Sequence, residues 1–81
     1  MYRVYVMWQR GKGRSEVQVE SRTSTPAPKA ALEGWRFLYD KAYPSDHILL
    51  LTHDHQTVAF HRFGTAPGDP EHSPRDIAIP E

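Results

Sequence analysis

Residues 25–42 read TPAPKAALEGWRFLYDKA, and the spacing of apolar side chains in this stretch predicts a helix. Thr25 followed by Pro26 is a start signal: a hydroxyl to accept from free first-turn N–H groups, then a proline in a turn where no amide partner is lost. Pro28 fits the same turn. From there Ala27, Ala31, Gly34, Leu38 and Ala42 recur at spacings of four, three, four and four. With Trp35 and Leu32 or Tyr39 beside them, they make one apolar stripe. The small centre of that stripe implies close approach to a sheet, Gly34 giving up about 1 kcal/mol of helix preference relative to alanine. Pro44 cannot extend the helix and Ser45-Asp46 is turn chemistry, so the element is expected over residues 26–42.

A one-sided helix needs an apolar surface, and the flanking segments supply strands. Tyr2, Val4, Val6 and Trp8 alternate with Arg3, Tyr5, Met7 and Gln9, which predicts a strand whose even positions face the core. Glu16-Val17-Gln18-Val19-Glu20 alternates in the same way, and the intervening Arg10–Ser15 holds two glycines suited to a hairpin connection. His47–His53 is a short continuous apolar run and Thr57–Phe63 a second β-rich segment, together a second hairpin. The fold class is therefore α+β in the order β-β-α-β-β, one helix packed on a four-stranded, mainly antiparallel sheet. Residues 1–63 form this single domain. Residues 64–81 carry four of the seven prolines, with only Ile77 and Ile79 as large apolar side chains, and read as an irregular or disordered tail. The alternation Ile77-Ala78-Ile79 suits a sheet edge or a groove.

A chain of 81 residues builds one domain and buries only about 60% of its unfolded surface, so a dimer would add welcome stability. The absence of cysteine removes disulfides, thiolate catalysis and cysteine-based metal sites. Arg3 interrupts the apolar start, so no secretory signal is read. Nor does any run approach the roughly 20 apolar residues that cross a bilayer. The expected setting is cytoplasmic, without a membrane. The net charge of zero conceals polarity. Arg3, Arg10, Lys12 and Arg14 stand at one end without an acid, and Asp69, Glu71, Asp76 and Glu81 at the other against Arg75 alone. Such polarity serves solubility, steers a partner, or draws tail and hairpin together.

His53-Asp54-His55 is the weak candidate for a metal site, because neutral imidazoles with carboxylate support suit zinc. If residues 53–56 flank a two-residue turn, alternation sends His61 to the face opposite His53, and the cluster reduces to polar loop residues. Acid–base catalysis needs an oriented histidine or carboxylate in a pocket. No such pair is identifiable, nor is any nucleophile elbow, phosphate loop leading into a helix, or metalloprotease pair. No enzymatic activity and no cofactor are expected. Nucleic-acid binding has a candidate in the hairpin loop 10–14, where Arg10, Lys12 and Arg14 stand beside Trp8 as a stacking group. The neutral total and the lack of a recognised nucleic-acid motif favour a plain solvated hairpin tip.

A protein-binding surface has better support. Tyr5 and Met7 lie on the strand face away from the helix, and Phe37, Tyr39 and Tyr43 exceed what the helix stripe can bury. Of the run Ile48–Leu51, one alternating pair must face away from the helix, to be covered by the tail or by a second subunit.

The pattern Val19-x-Ser21-Arg22-Thr23-x-Thr25-Pro26-Ala27-Pro28, with Ala59-Phe-His-Arg-Phe63 and a tail containing Gly68-Asp69, resembles a group of small proteins carried by bacterial integrative conjugative elements and plasmids. The resemblance spans most of the chain. It implies a bacterial, cytoplasmic origin in a mobile genetic element, and it implies no activity and no site residue. The β-β-α-β-β order is also similar to that of some phage-encoded anti-CRISPR inhibitors, a likeness of architecture without a shared motif. The expected function is thus that of a non-enzymatic accessory or interaction module, meeting a protein partner or a second copy of itself. The alternatives are weak nucleic-acid binding through the loop 10–14 and inhibition of a bacterial defence complex.

Overall fold

The computed structural model describes residues 1–10 and 16–79, the side chains of residues 9, 10, 16 and 17 excepted. Five elements follow in the expected order: β1 (Tyr2–Arg10), β2 (Glu16–Thr25), α1 (Pro28–Asp40), β3 (His47–His53) and β4 (Gln56–Arg62). The strands form one antiparallel sheet in the order β2-β1-β3-β4. Because β2 and β3 both run opposite to β1, they flank it in the same direction, and α1 is the crossover that carries the chain over β1.

The two prolines set the helix start later than the sequence predicts. A residue preceding proline is driven out of the α region, and Thr25 and Ala27 each precede one. Thr25 thus stays in β2, and Ala27 is extended at φ −92°, ψ 120°. The Thr25 hydroxyl does accept a backbone N–H, that of Ala27 at 3.2 Å, one residue ahead of the helix. At the other end Ala42 has φ +51°, so α1 closes at Asp40. Ala27 and Ala42 are exposed and drop out of the predicted stripe. Ala31, Trp35 and Leu38 make the contact, with Trp35 wholly buried at its centre.

On the sheet's inner face, toward α1, lie Tyr2, Val4 and Val6 of β1, Leu49 and Leu51 of β3, Ala59 and His61 of β4, and Phe63 just beyond it. This is the even face expected of β1. Two β-bulges then alter which face later residues occupy, because one extra residue reverses the alternation beyond it. In β2, Val6 pairs with Ser21 but Met7 with Val19, so Glu20 is extra. Val19 consequently shares the outer face with Met7. In β4, Leu51 pairs with Ala59 but Thr52 with Thr57, so Val58 is extra. His61 therefore faces inward opposite Leu49, on the same face as His53, contrary to the expectation from unbroken alternation.

Residues 64–79 form no helix or strand, yet they are docked. The Arg62 amide donates to the Glu71 carbonyl at 2.8 Å and the Phe60 amide to the Ser73 hydroxyl at 3.2 Å, which seals the free edge of β4. The Trp35 indole N–H donates to the Pro74 carbonyl at 3.3 Å. Arg75 then pairs with Asp40, and Asp76 with Arg36. Ile77 and Ile79 end the path against the core. Of the tail's acids, Asp76 thus pairs with α1 and Glu71 with β4, while the Asp69 carboxylate accepts the Glu71 backbone N–H within the tail. Among the described residues, the tail meets the outer face at the β4 corner, where Glu71 holds Arg62, and then runs along the helix side.

Candidate interaction surface

Strand register defines the outer face as three rows running from β2 to β4. They are Val19, Met7, Ile48, Arg62; then Arg22, Tyr5, Leu50, Phe60; then Ser24, Arg3, Thr52, Thr57. Ile48 is 3% exposed yet stands outside the core cluster, so its neighbours on this face bury it. Tyr5, Met7, Leu50 and Phe60 around it are half-buried, and Val19 is 55% exposed. Among the described residues, no helix or strand packs on this face; α1 meets β1, β2 and β3 from the inner side.

The charge on the face is of one sign. The twelve positions above include three arginines and no lysine, aspartate or glutamate. Arg62 is bonded to Glu71 at the β4 corner. Arg3 and Arg22 lie on β1 and β2, and among the described residues neither has an acidic partner within ion-pair distance.

The five residues expected to bind a protein partner do not form one surface. Tyr5 and Met7 lie on the outer face, whereas Phe37, Tyr39 and Tyr43 lie on the helix side. The Tyr39 ring packs on Trp35, His61 and Phe63, with centroids 6.3, 4.5 and 6.4 Å away. Tyr43 stacks on His47 at 5.3 Å and leans on Phe63 at 5.6 Å. Only Phe37 is largely exposed, with the Lys41 ammonium 5.0 Å above its ring. It borders a shallow groove of about 260 Å³ between β2 and α1, floored by Gly34 and Leu38. That is smaller than the roughly 300–1,000 Å³ typical of small-molecule sites.

Of the nucleic-acid candidates, Trp8 lies on the inner face with its ring 6.3 Å from that of His47. The side chain of Arg10, together with Lys12 and Arg14, falls outside the described residues. The histidine cluster splays apart. His53 stacks on Tyr2 at 4.1 Å, while Asp54 and His55 form the two-residue turn with φ +49° and +69°. The Met1 amino group, 2.7 Å from the Asp54 carboxylate, holds that carboxyl below its ordinary range, with a further contribution from His53. No three metal-ligating side chains converge among the described residues. Although His61 shares a face with His53, four strand positions separate their rows, about 13 Å.

His61 instead belongs to an internal aromatic cluster. It is 4% exposed, its Nδ1 has no hydrogen-bond partner, and the His72 ring of the tail stands 4.7 Å away. Burial, assisted by His72, pushes its pKa down.

Sequence reasoning picked out Tyr5, Met7 and the Ile48–Leu50 alternation, but it missed Val19 and Phe60 as members of the same surface. Arg3 stood out only among the N-terminal basic residues and Arg22 only within a sequence motif, neither as a member of this face. No local signal marks either bulge, so the outer rows emerge only from strand pairing. The fold and surface define an α+β protein whose four-stranded antiparallel sheet is covered by a helix on one face and, among the described residues, carries no helix or strand on the other. No family model, no curated protein and no solved structure matches the chain.

Proposed function

We propose that this protein is a non-enzymatic interaction module that docks a protein partner on the outer face of its sheet. In this reading it serves as an accessory protein of a bacterial mobile element. One observation carries the docking reading: the composition of the outer rows. Interface cores are enriched in aromatic residues, methionine and arginine and depleted in lysine and carboxylates. The twelve positions of the outer rows combine Tyr5, Phe60, Met7 and three arginines with Ile48, Leu50 and Val19, and include no lysine, aspartate or glutamate. Covering Val19 and the accessible remainder of Tyr5, Met7, Leu50 and Phe60 supplies the driving force, at roughly 25 cal/mol per Å² removed from water.

Selection of binders from a random peptide-display library against the purified protein tests the reading, with amide NMR shifts locating the contact. Binders are expected to perturb Tyr5, Met7, Leu50 and Phe60, and to lose about 30-fold in affinity on Tyr5→Ala, as for a central interface residue. Binders that map instead to the β2–α1 groove or to the tail overturn it.

A further inference from the structure

We infer that the partner presents an acidic amphipathic helix, laid across the outer face so that its apolar stripe covers Met7, Tyr5, Leu50 and Phe60 while carboxylates on one flank meet Arg3 and Arg22. The inference rests on the docking reading above and adds the chemistry of the occupant. It starts from the asymmetry of charge. Arg62 already holds Glu71, so the β4 corner is neutralised within the chain. Arg3 and Arg22 stand together at the β1–β2 side without an acidic partner among the described residues. A bound segment is therefore drawn to place its negative charge along that side only.

The shape of the occupant follows from the other face of the same sheet. There a helix of 13 residues, α1, lies over β1, β2 and β3, with Ile77 and Ile79 of the tail packed against the same core. The outer face offers the same strands and the same span, and a helix of about 15 residues, some 22 Å long, matches it. Helical spacing of i, i+3 and i+4 delivers apolar side chains to adjacent strands while keeping acids on one flank. The result is a three-layer arrangement with the second helix supplied by the partner.

A second copy of this chain fits the face poorly. Two outer faces packed together bring both copies' Arg3 and Arg22 into one interface with no acid among the twelve positions of either face. Single-stranded nucleic acid would use the arginines for phosphate and Tyr5 and Phe60 for stacking. However, Leu50 separates those two rings in their row, and the middle of the face is aliphatic. The two available cations also cluster on one side, without forming a track across the sheet.

The test compares two synthetic helical peptides of about 15 residues with the same leucine stripe, one flanked by glutamate and the other by lysine, alongside an oligothymidine of similar length. Titration of the whole protein followed by amide NMR reads both affinity and location. The glutamate peptide is expected to shift Tyr5, Met7, Leu50 and Phe60 and to bind at least ~10-fold more tightly than the lysine peptide. Its affinity should fall as salt rises. In Arg3→Glu/Arg22→Glu the order of the two peptides should invert. The milder Arg3→Gln/Arg22→Gln pair should abolish the preference, and an unchanged circular dichroism spectrum shows that each variant is folded. Equal binding of both peptides at this face overturns the charge inference and leaves the docking reading intact. Binding of neither peptide, displacement of the glutamate peptide by oligothymidine, or a dimer that buries Tyr5 each overturns the inference outright.

Discussion

Replacing Gly34 by alanine is expected to stabilise the protein by about 1 kcal/mol, the difference between the two residues in a helix interior. The sequence suggests the opposite, a glycine kept so that helix and sheet can approach. A Cβ built at Gly34, however, meets nothing nearer than Val4 Cγ2, at 3.8 Å. That is ordinary van der Waals contact, so the added methyl fills space without moving the strand. Gly34 is only half-buried, so the methyl adds less than the ~0.8 kcal/mol of a fully buried group, and the backbone effect dominates. In a domain of this size a gain of about 1 kcal/mol raises the melting temperature by roughly 4–8 °C. Urea unfolding followed by circular dichroism measures the change directly, and the m-value should stay constant because the surface exposed on unfolding is nearly the same. Gly34→Leu serves as the contrast, since its branched end must displace Val4 or turn into the groove. If Gly34→Ala destabilises the protein, α1 lies closer to β1 than described and the helix–sheet packing is wrong.

Gly64 behaves in the opposite way. Its φ is +86° and a Cβ there would stand 2.8 Å from that of Ser45, so Gly64→Ala should lower stability by about 1–3 kcal/mol in the same urea assay. Trp35→Phe removes the indole N–H that donates to the Pro74 carbonyl and leaves a gap at the centre of the core. A loss of about 1–3 kcal/mol is expected, with faster tryptic cleavage after Arg75 as the sign of a loosened tail. His61 makes stability depend on pH. Its folded-state pKa lies below the ordinary 6.5, so the unfolded chain takes up the proton first and stability falls as pH drops below about 6.5, toward the folded value. The urea midpoint of the wild type should therefore fall between about pH 7 and 5 more steeply than that of His61→Phe; equal slopes would refute the assignment.

Much of this fold is written in local periodicity. Alternation in β1 places Tyr2, Val4 and Val6 inward, and Tyr5 and Met7 outward, because side chains of a strand alternate whatever else the chain does. The same rule separates Leu49 and Leu51 from Ile48 and Leu50. The helix is legible from its 3.6-residue stripe, although its start is set by two prolines acting on the residues before them rather than by the Thr25 hydroxyl. The order β-β-α-β-β follows from where these patterns begin and end.

What the sequence by itself determined, then, is the set of elements and the side of each strand that seeks the core. Tertiary structure alone decided the strand order, the two bulges and the path of the tail. A bulge inserts one residue into a pairing between distant segments, and nothing in the local pattern around Glu20 or Val58 records it. Yet each one moves a side chain across the sheet, sending Val19 to the outer face and His61 to the inner one. The tail likewise looks polar and irregular by composition and is held by contacts 9 to 39 residues away in sequence, from Arg62 to Trp35. Beyond the β4 corner its described residues run along the helix side, which leaves the outer rows of the sheet without a covering helix or strand among the described residues.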